Sequence, residues 1–148
     1  MPLLKQVLEA YPKQVKLVFK QFPLSSHTYA RPAALASLAA KKQGKFWEMH
    51  DKIFENQAKM SDAQGKTRFS EFARQIGLNV EQFEKDLKDP ALEEMVVRDA
   101  KDGADAQVTG TPALYVNGKK VLDRSFEGFK KMIDAELAGS KTAPGPGK

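Results

Sequence analysis

The 148-residue sequence contains no cysteine. Without thiols, these residues cannot form a disulfide, offer a thiolate to a metal ion or attack a substrate through sulfur. Only two histidines are present, which is too few for a structural zinc site without cysteine. The composition therefore excludes thiol redox chemistry by these residues, and it predicts no catalytic residue, no metal ion and no cofactor.

Long apolar runs are also missing. No stretch approaches the ~20 apolar residues that a membrane span needs. The segment that begins at Met1 has neither the basic region nor the apolar region of a signal peptide. If Met1 is the true start, these features predict a cytoplasmic protein that does not contact a membrane.

Basic residues are not concentrated in any one segment. The formal net charge is +5, from 24 Lys and Arg against 19 Asp and Glu. A nucleic-acid interface needs a dense basic patch or stripe, and here the acids separate the basic residues. We therefore expect no nucleic-acid partner. The basic pairs are Lys41-Lys42, Lys119-Lys120 and Lys130-Lys131.

Few side chains suggest chemistry. His50 lies in an apolar helical pattern and is expected to be a core histidine, whereas His27 lies in a loop and is expected to be solvated. Acidic residues recur along one predicted helix, but Arg98 and Lys101 alternate with them, so a solvated face is expected. These acids are Glu93, Glu94, Asp99, Asp102 and Asp105.

The hydrophobic pattern predicts one strand near the N-terminus and then mostly helices. Alternating apolar and polar residues, bounded by prolines, predict a strand over Val15–Phe22. Later, a Val108–Leu122 segment with Asn117-Gly118 at its centre predicts a β-hairpin. Helical spacing predicts helices over 2–11, 30–42, 45–57, 67–76, from 79 or 80, over 90–107, and after the N-cap Ser125.

Two segments carry a resemblance to a known family. Val108–Pro112, which leads directly into an apolar strand, resembles the cis-proline loop of thioredoxin-fold proteins. Val18–Leu24, an alanine-rich helix and Gln43–Asp51 follow in the order found in the DsbA-like branch of that fold. The resemblance covers about Leu3 to Leu137, and the pattern of a strand with helices, then a hairpin and a helix, agrees with it.

This resemblance implies an α/β, thioredoxin-like fold with an inserted helical domain, truncated at the N-terminus. Residues 1–27 and 108–138 would form the incomplete thioredoxin-like part, and residues 28–107 the helical insertion. The tail, residues 139–148, is rich in Gly, Pro and Lys and is expected to be disordered.

The resemblance also implies a thiol–disulfide oxidoreductase family. In that family a central strand and a Cys-x-x-Cys motif precede the helix in which this chain begins, and members are often periplasmic or exported. Lacking both cysteines, this chain is expected to be redox-inactive. It is interpreted either as a fragment or as a degenerate homologue that serves as a non-catalytic peptide-binding or assembly module.

Two kinds of partner follow from the resemblance. Gly110, Thr111 and Pro112 would bind an extended peptide or protein substrate through their backbone, with a cis bond before Pro112. The missing strand would lie between Val15–Phe22 and Ala113–Val116, which leaves open sheet edges. We expect pairing between copies in a homodimer, rather than direct closure of the two strands, because closure would shift the flanking helices.

Overall fold

The computed structural model describes the backbone of residues 2–142, with side chains to residue 140, and its regular structure is mostly helical. One short hairpin is the only sheet among these residues. The helices are α1 (Pro2–Ala10), α2 (Ala30–Lys42), α3 (Phe46–Glu55), α4 (Phe69–Gln75), α5 (Val80–Asp86), α6 (Pro90–Asp105) and α7 (Phe126–Thr142), and the strands are β1 (Tyr115–Val116) and β2 (Lys119–Lys120).

Side-chain caps fix three of the helix starts. The Asn79 side chain accepts the backbone N–H of Gln82 at the start of α5. Asp89 accepts the N–H of Ala91 at the start of α6, where a proline fills the first position at no cost in hydrogen bonds. Ser125 Oγ accepts the N–H of Gly128 at 3.0 Å, which confirms the predicted cap of α7.

The chain divides into two compact units. Among the described residues, one unit comprises residues 2–19 and 110–142, and the other comprises Lys20–Thr109. The sequence placed the boundaries at 27/28 and 107/108 instead. The N-terminal boundary comes earlier because Gln21 is tied by hydrogen bonds to Ser37 and Asp99 of the second unit.

The Lys20–Thr109 unit has a helical core built around α2. Three alanines of this helix, Ala36, Ala39 and Ala40, are completely buried, and their small side chains let neighbouring helices approach closely. Large side chains from the other helices fill the space around them. The least exposed of these are Met49, Phe72, Phe83 and Val96.

The other unit has a smaller core. Leu4 and Val7 of α1 meet Phe129 and Ile133 of α7, together with Val121 after β2. Half-buried apolar residues from the segment that follows α1, and from the hairpin and the residue before it, pack against this cluster. They include Val15, Leu17, Leu114 and Val116.

The predicted strand over Val15–Phe22 is wrong as a sheet strand, because no β-pairing is assigned to these residues. The side chains still alternate: Val15 and Leu17 are half-buried, whereas Lys16 and Val18 are exposed. The alternation of the side chains shows which face of the segment is covered. A β-strand also needs a neighbouring strand that hydrogen-bonds to its backbone. Neither the direct closure considered from the sequence nor any other ladder occurs at this segment.

Two further predictions need correction or restriction. The hairpin forms about Asn117 and Gly118, whose φ values of 47° and 80° suit a two-residue turn, but each strand has only two residues.

The segment predicted to be disordered begins within α7, so the prediction is wrong for residues 139–142. Good helix formers before Gly139 carry the helix onward. Residues 143–148 lie outside the described residues.

The described residues contain neither a candidate membrane span nor a candidate metal-binding cluster. None of their helices is long and apolar enough to cross a membrane. No group of three or more His, Cys, Asp or Glu side chains in the same part of the chain is placed to hold a metal ion.

Candidate peptide-binding site

The loop before β1 is open to solvent. Gly110, Thr111 and Pro112 are all exposed, and the Thr111–Pro112 bond is cis, as predicted. A β-carbon at Gly110 would meet no atom within 4 Å. Within residues 2–142, no hydrogen bond involves Gly110, Thr111, Pro112 or Ala113. The loop therefore presents its backbone N–H and C=O groups to solvent.

The register of the hairpin shows where the backbone groups of β1 point. Tyr115 pairs with Lys120, and the N–H of Val121 donates to the carbonyl of Leu114 at 2.8 Å. In an antiparallel pair, hydrogen-bonded and non-hydrogen-bonded positions alternate. Leu114 and Val121 are hydrogen-bonded, so the N–H and C=O of Tyr115 point away from β2. If the alternation continues toward the N-terminus, those of Ala113, two residues earlier, would point the same way.

The two edges of the hairpin differ in charge. Along β2, Lys119 and Lys120 are both exposed. Exposed lysines on an edge strand oppose the addition of another strand. On the β1 side, Ala113–Val116 carry no charge, and Tyr115 is 37% exposed. We call the outward backbone of Ala113–Val116 the β1 edge; this is the edge of the hairpin suited to pairing.

Helix α7 holds the hairpin turn through one carboxylate. Glu136 accepts hydrogen bonds from Lys119 Nζ at 2.5 Å and from Asn117 Nδ2 at 3.0 Å. The Lys119 ammonium, followed by the Asn117 amide, lowers the pKa of the Glu136 carboxyl. Exposed ion pairs of this kind stabilise a fold little. Their effect here is to orient the turn against α7.

A second set of contacts on α7 fixes α1. The Tyr11 hydroxyl donates to Asp134 Oδ1 at 2.6 Å, and Lys130 Nζ lies 2.8 Å from the other oxygen of that carboxylate. The hydrogen bond to Asp134 raises the pKa of the Tyr11 phenol. Lys130, followed by Tyr11, lowers the pKa of the Asp134 carboxyl. Helix α7 therefore contacts both the end of α1 and the hairpin turn.

Sequence reasoning missed one buried carboxylate that anchors the backbone. Asp99 was expected on a solvated face, yet it is only 9% exposed. Its carboxylate accepts the backbone N–H of Gln21 at 3.0 Å and the ammonium of Lys20 at 3.1 Å. The available signal was its helical spacing from Leu92 and Val96, which places Asp99 on the buried face of α6.

His50 takes no part in the β1 edge. It is buried in α3, with Nδ1 3.0 Å from Asp51 Oδ1. Its ring lies against that of Trp47 and against that of Phe54, at centroid distances of 5.4 and 4.7 Å. The prediction of a core histidine is therefore confirmed, and the catalytic roles that histidine often fills are not suggested by its position.

Comparison with known proteins identifies the class of this fold. A family model described as thioredoxin matches residues 2–135. Because the match covers most of the chain, the protein belongs to the thioredoxin family. Its fold is thioredoxin-like with mostly helical content and a small sheet, in the DsbA-like form that its structural neighbours share.

Two solved structures illustrate this likeness. A thioredoxin-like oxidoreductase from Silicibacter pomeroyi DSS-3 has a TM-score of 0.69 at 25% identity, covering 97% of this chain and 78% of that one. The thiol-disulfide exchange protein alpha-DsbA2 from Wolbachia pipientis has a TM-score of 0.74 at 21% identity, covering 91% and 72%. The second likeness shows the fold alone.

Curated relatives are much longer than this chain. The Na⁺/H⁺ antiporter NhaA 1 of Salinispora arenicola is 30% identical over 97% of this chain, which spans 22% of that protein. Probable disulfide bond formation protein D of Bacillus cereus is 34% identical over 84% of this chain and 59% of its own length. In both relatives, the matching region is one part of a longer polypeptide.

Proposed function

We propose that these 148 residues form a DsbA-like domain that binds an extended polypeptide segment along the β1 edge and does not exchange its disulfides. The observation that carries this proposal is the outward backbone of Ala113 and Tyr115, next to the open loop at Gly110–Pro112. An extended peptide that aligns with such an edge gains main-chain hydrogen bonds, as an added strand does.

The absence of cysteine supports the non-catalytic part of the proposal. Thiol–disulfide exchange begins when a thiolate attacks a disulfide sulfur. No side chain of this sequence can supply that thiolate. The relative from Bacillus cereus is named for disulfide bond formation. Of the steps such an activity needs, polypeptide binding is the one that these residues can carry out.

A turnover assay tests the redox part. The purified chain should neither reduce insulin nor reshuffle scrambled ribonuclease, and its rate should equal that of bovine albumin at the same concentration. An active disulfide oxidoreductase, assayed in parallel, shows that the conditions support exchange. Turnover above the albumin background would contradict the proposal, because it would require a nucleophile other than sulfur.

A titration tests the binding part. Carboxymethylated insulin B chain, an unfolded polypeptide without free thiols, should shift the amide NMR signals of Ala113 and Tyr115. Tyr115→Pro removes one outward N–H without removing a bond of the hairpin, and it should weaken binding by roughly fivefold. Lys120→Pro is the matched control, because Lys120 belongs to the same non-hydrogen-bonded pair but faces the β2 edge.

The outcome of the titration is decisive in either direction. Equal weakening by both proline variants would assign the effect to the hairpin as a whole. Shifts confined to the β2 side would place the binding edge at the lysines. Either result would overturn the assignment of the β1 edge as the binding site.

A further inference from the structure

We infer that a groove between β2 and α7 binds a short acidic polypeptide segment that inserts an apolar side chain. The groove has a volume of about 390 Å³, within the range of roughly 300–1,000 Å³ that is common for ligand sites. The residues that line it belong to β2, to the turn that follows, and to α7. It lies on the lysine-bearing side of the hairpin and is therefore a different surface from the β1 edge. We call it the β2–α7 groove.

The floor of the β2–α7 groove is apolar. Met132 and Ala135 line it from α7, and because they are three residues apart they are neighbours on the helix surface. Leu122 lines it from the hairpin side and is 84% exposed, whereas Val121 before it is 2% exposed. A large apolar side chain that is this exposed is stabilised when a partner covers it. Methionine is flexible, so Met132 can adapt to the shape of an inserted side chain.

Two lysines line the same groove. These are Lys120 and Lys131, and among the side chains that the structure describes neither of them forms an ion pair. The lysines beside them in the sequence differ in this respect. Lys119 and Lys130 each pair with a carboxylate of α7. In each basic pair, therefore, one lysine is used within the fold and the other is available to a partner at the groove.

Among the described residues that line the groove, Asp123 is the one that is acidic. Its carboxylate already accepts the N–H of Ser125 at 3.0 Å. The hydrogen bonds from Ser125 lower the pKa of this carboxyl more than the Lys131 ammonium does. Asp123 is therefore engaged in the turn before α7, and one carboxylate does not neutralise two lysines. The excess of positive charge complements a segment rich in Asp and Glu.

Other occupants match the groove less well. Residues 139–148 of this chain include Lys141 and Lys148 but no Asp, Glu, Leu, Ile, Val, Met or aromatic residue. A second copy of the chain carries a formal charge of +5, so two copies repel one another. The lysines of β2 also oppose an added strand that is uncharged or basic. An acidic segment turns the same charges into attraction, so the groove selects its partner by charge.

An NMR titration of the full chain with a capped hexapeptide, acetyl-Glu-Asp-Leu-Phe-Asp-Glu-amide, tests the inference. The expected result is a saturable shift of the Leu122 amide and Met132 methyl signals. Replacing the four acids of the peptide by Gln and Asn should weaken binding by roughly fivefold. Replacing its Leu-Phe by Ser-Ser should weaken binding by at least roughly tenfold. Added salt should weaken binding of the acidic peptide, because it screens the attraction between opposite charges.

Two double variants of equal net charge test whether the groove lysines act locally. Lys120→Gln combined with Lys131→Gln removes both groove ammonium groups and should weaken binding of the acidic peptide by roughly fivefold. Lys119→Gln combined with Lys130→Gln is the matched control, because it removes the same charge at adjacent positions that do not line the groove. It should change the affinity by less than about twofold, since more distant charges are screened.

Leu122→Ser tests the apolar floor. Because this side chain is 84% exposed, the substitution should leave the free energy of unfolding nearly unchanged, yet it should weaken peptide binding by roughly fivefold. Val97→Ser is the matched control, because Val97 is also an exposed apolar residue but lies on α6. It should leave the affinity at the parent value. Urea unfolding establishes that every variant is folded.

Each contrary outcome overturns the inference. Equal weakening by the two double-lysine variants would assign the attraction to the net charge of the whole chain. Equal binding of the acidic and the neutral peptide would remove charge as the basis of recognition. Shifts of the groove signals that grow with protein concentration, without peptide, would show that a second copy covers the groove. The proposed function is measured separately, from the signals of Ala113 and Tyr115, so either conclusion can fail while the other stands.

Discussion

Gly128→Ala is expected to destabilise the protein by about 2–3 kcal/mol, although alanine is the better helix former. Gly128 lies in the first turn of α7, which runs over Phe126–Thr142. A β-carbon there would lie 2.3 Å from the carbonyl oxygen of Asp123 and 2.6 Å from its Cγ. Contacts this short require a shift of the backbone, because the nearest atom belongs to the main chain.

The turn before α7 cannot shift without cost. Asp123 Oδ1 accepts the N–H of Ser125 at 3.0 Å, and Ser125 Oγ accepts the N–H of Gly128 at 3.0 Å. The Ser125 hydroxyl and N–H hydrogen bonds lower the pKa of the Asp123 carboxyl. A β-carbon at Gly128 would overlap with Asp123, the residue whose hydrogen bond positions the N-cap Ser125. Loss of the cap alone costs about 1 kcal/mol, and overpacking adds to it.

Gly139→Ala provides the matched control in the same helix. A β-carbon at Gly139 would meet nothing within 4 Å, so only helix propensity changes there. It should stabilise the protein by up to about 0.5–1 kcal/mol. Urea unfolding of the two variants and the parent chain measures both effects. If both substitutions stabilise, the start of α7 does not approach Asp123 as the structure describes.

Local signals predicted much of this fold. Ser125 and Asn79 marked helix starts, and the side chain of each accepts a backbone N–H in the first turn of its helix. The Asn117-Gly118 pair marked the hairpin turn. Each of these signals depends on a few adjacent residues, because the hydrogen bonds of a helix cap or a tight turn join residues only a few positions apart. The helical part of the fold was therefore accessible from the sequence.

Features that depend on distant residues were not accessible. The side-chain alternation of Val15–Phe22 predicted an extended segment, but a ladder needs a neighbouring strand that no local pattern supplies. Nothing in the sequence places Asp123 against Gly128 closely enough to exclude a β-carbon. The close approach arises from the path of the turn between β2 and α7.

The candidate site could be predicted from the sequence only in part. The resemblance selected Gly110, Thr111 and Pro112, and their role in binding remains a prediction. The direction of the Tyr115 backbone groups could have been derived from the sequence, because a two-residue turn at Asn117-Gly118 fixes the hydrogen-bonding register. The contrast between an uncharged β1 edge and a lysine-bearing β2 edge was also present in the sequence.

Asp99→Ala is expected to lower the free energy of unfolding by about 1–3 kcal/mol, because it leaves the buried N–H of Gln21 without an acceptor. Gln21 and Asp99 are both buried, and the carboxylate is the acceptor that the structure gives this N–H. No sheet ladder is present here to replace it. The Gln21 side chain donates to Ser37 Oγ at 2.8 Å, so loss of the anchor would disturb two buried polar groups.

Asp102→Ala separates the backbone anchor from the ion pair. Asp102 accepts from Lys20 Nζ at 2.7 Å, and the hydrogen bond to Asp102, followed by that to Asp99, raises the pKa of the Lys20 ammonium. If the charge interaction with Lys20 held the segment in place, Asp102 would therefore matter more than Asp99. It is exposed, however, and an exposed pair contributes little to stability. The substitution should leave the free energy of unfolding nearly unchanged.

Amide hydrogen exchange distinguishes the two carboxylates at a single position. Exchange at the Gln21 amide should accelerate in Asp99→Ala and should stay at the parent rate in Asp102→Ala. Asp99→Asn keeps one side-chain oxygen and should give an intermediate rate. Equal acceleration in both alanine variants would mean that the Lys20 charge network holds the segment. The extended chain at Lys20–Phe22 would then be kept in place by electrostatics, and the single buried hydrogen bond would not be its anchor.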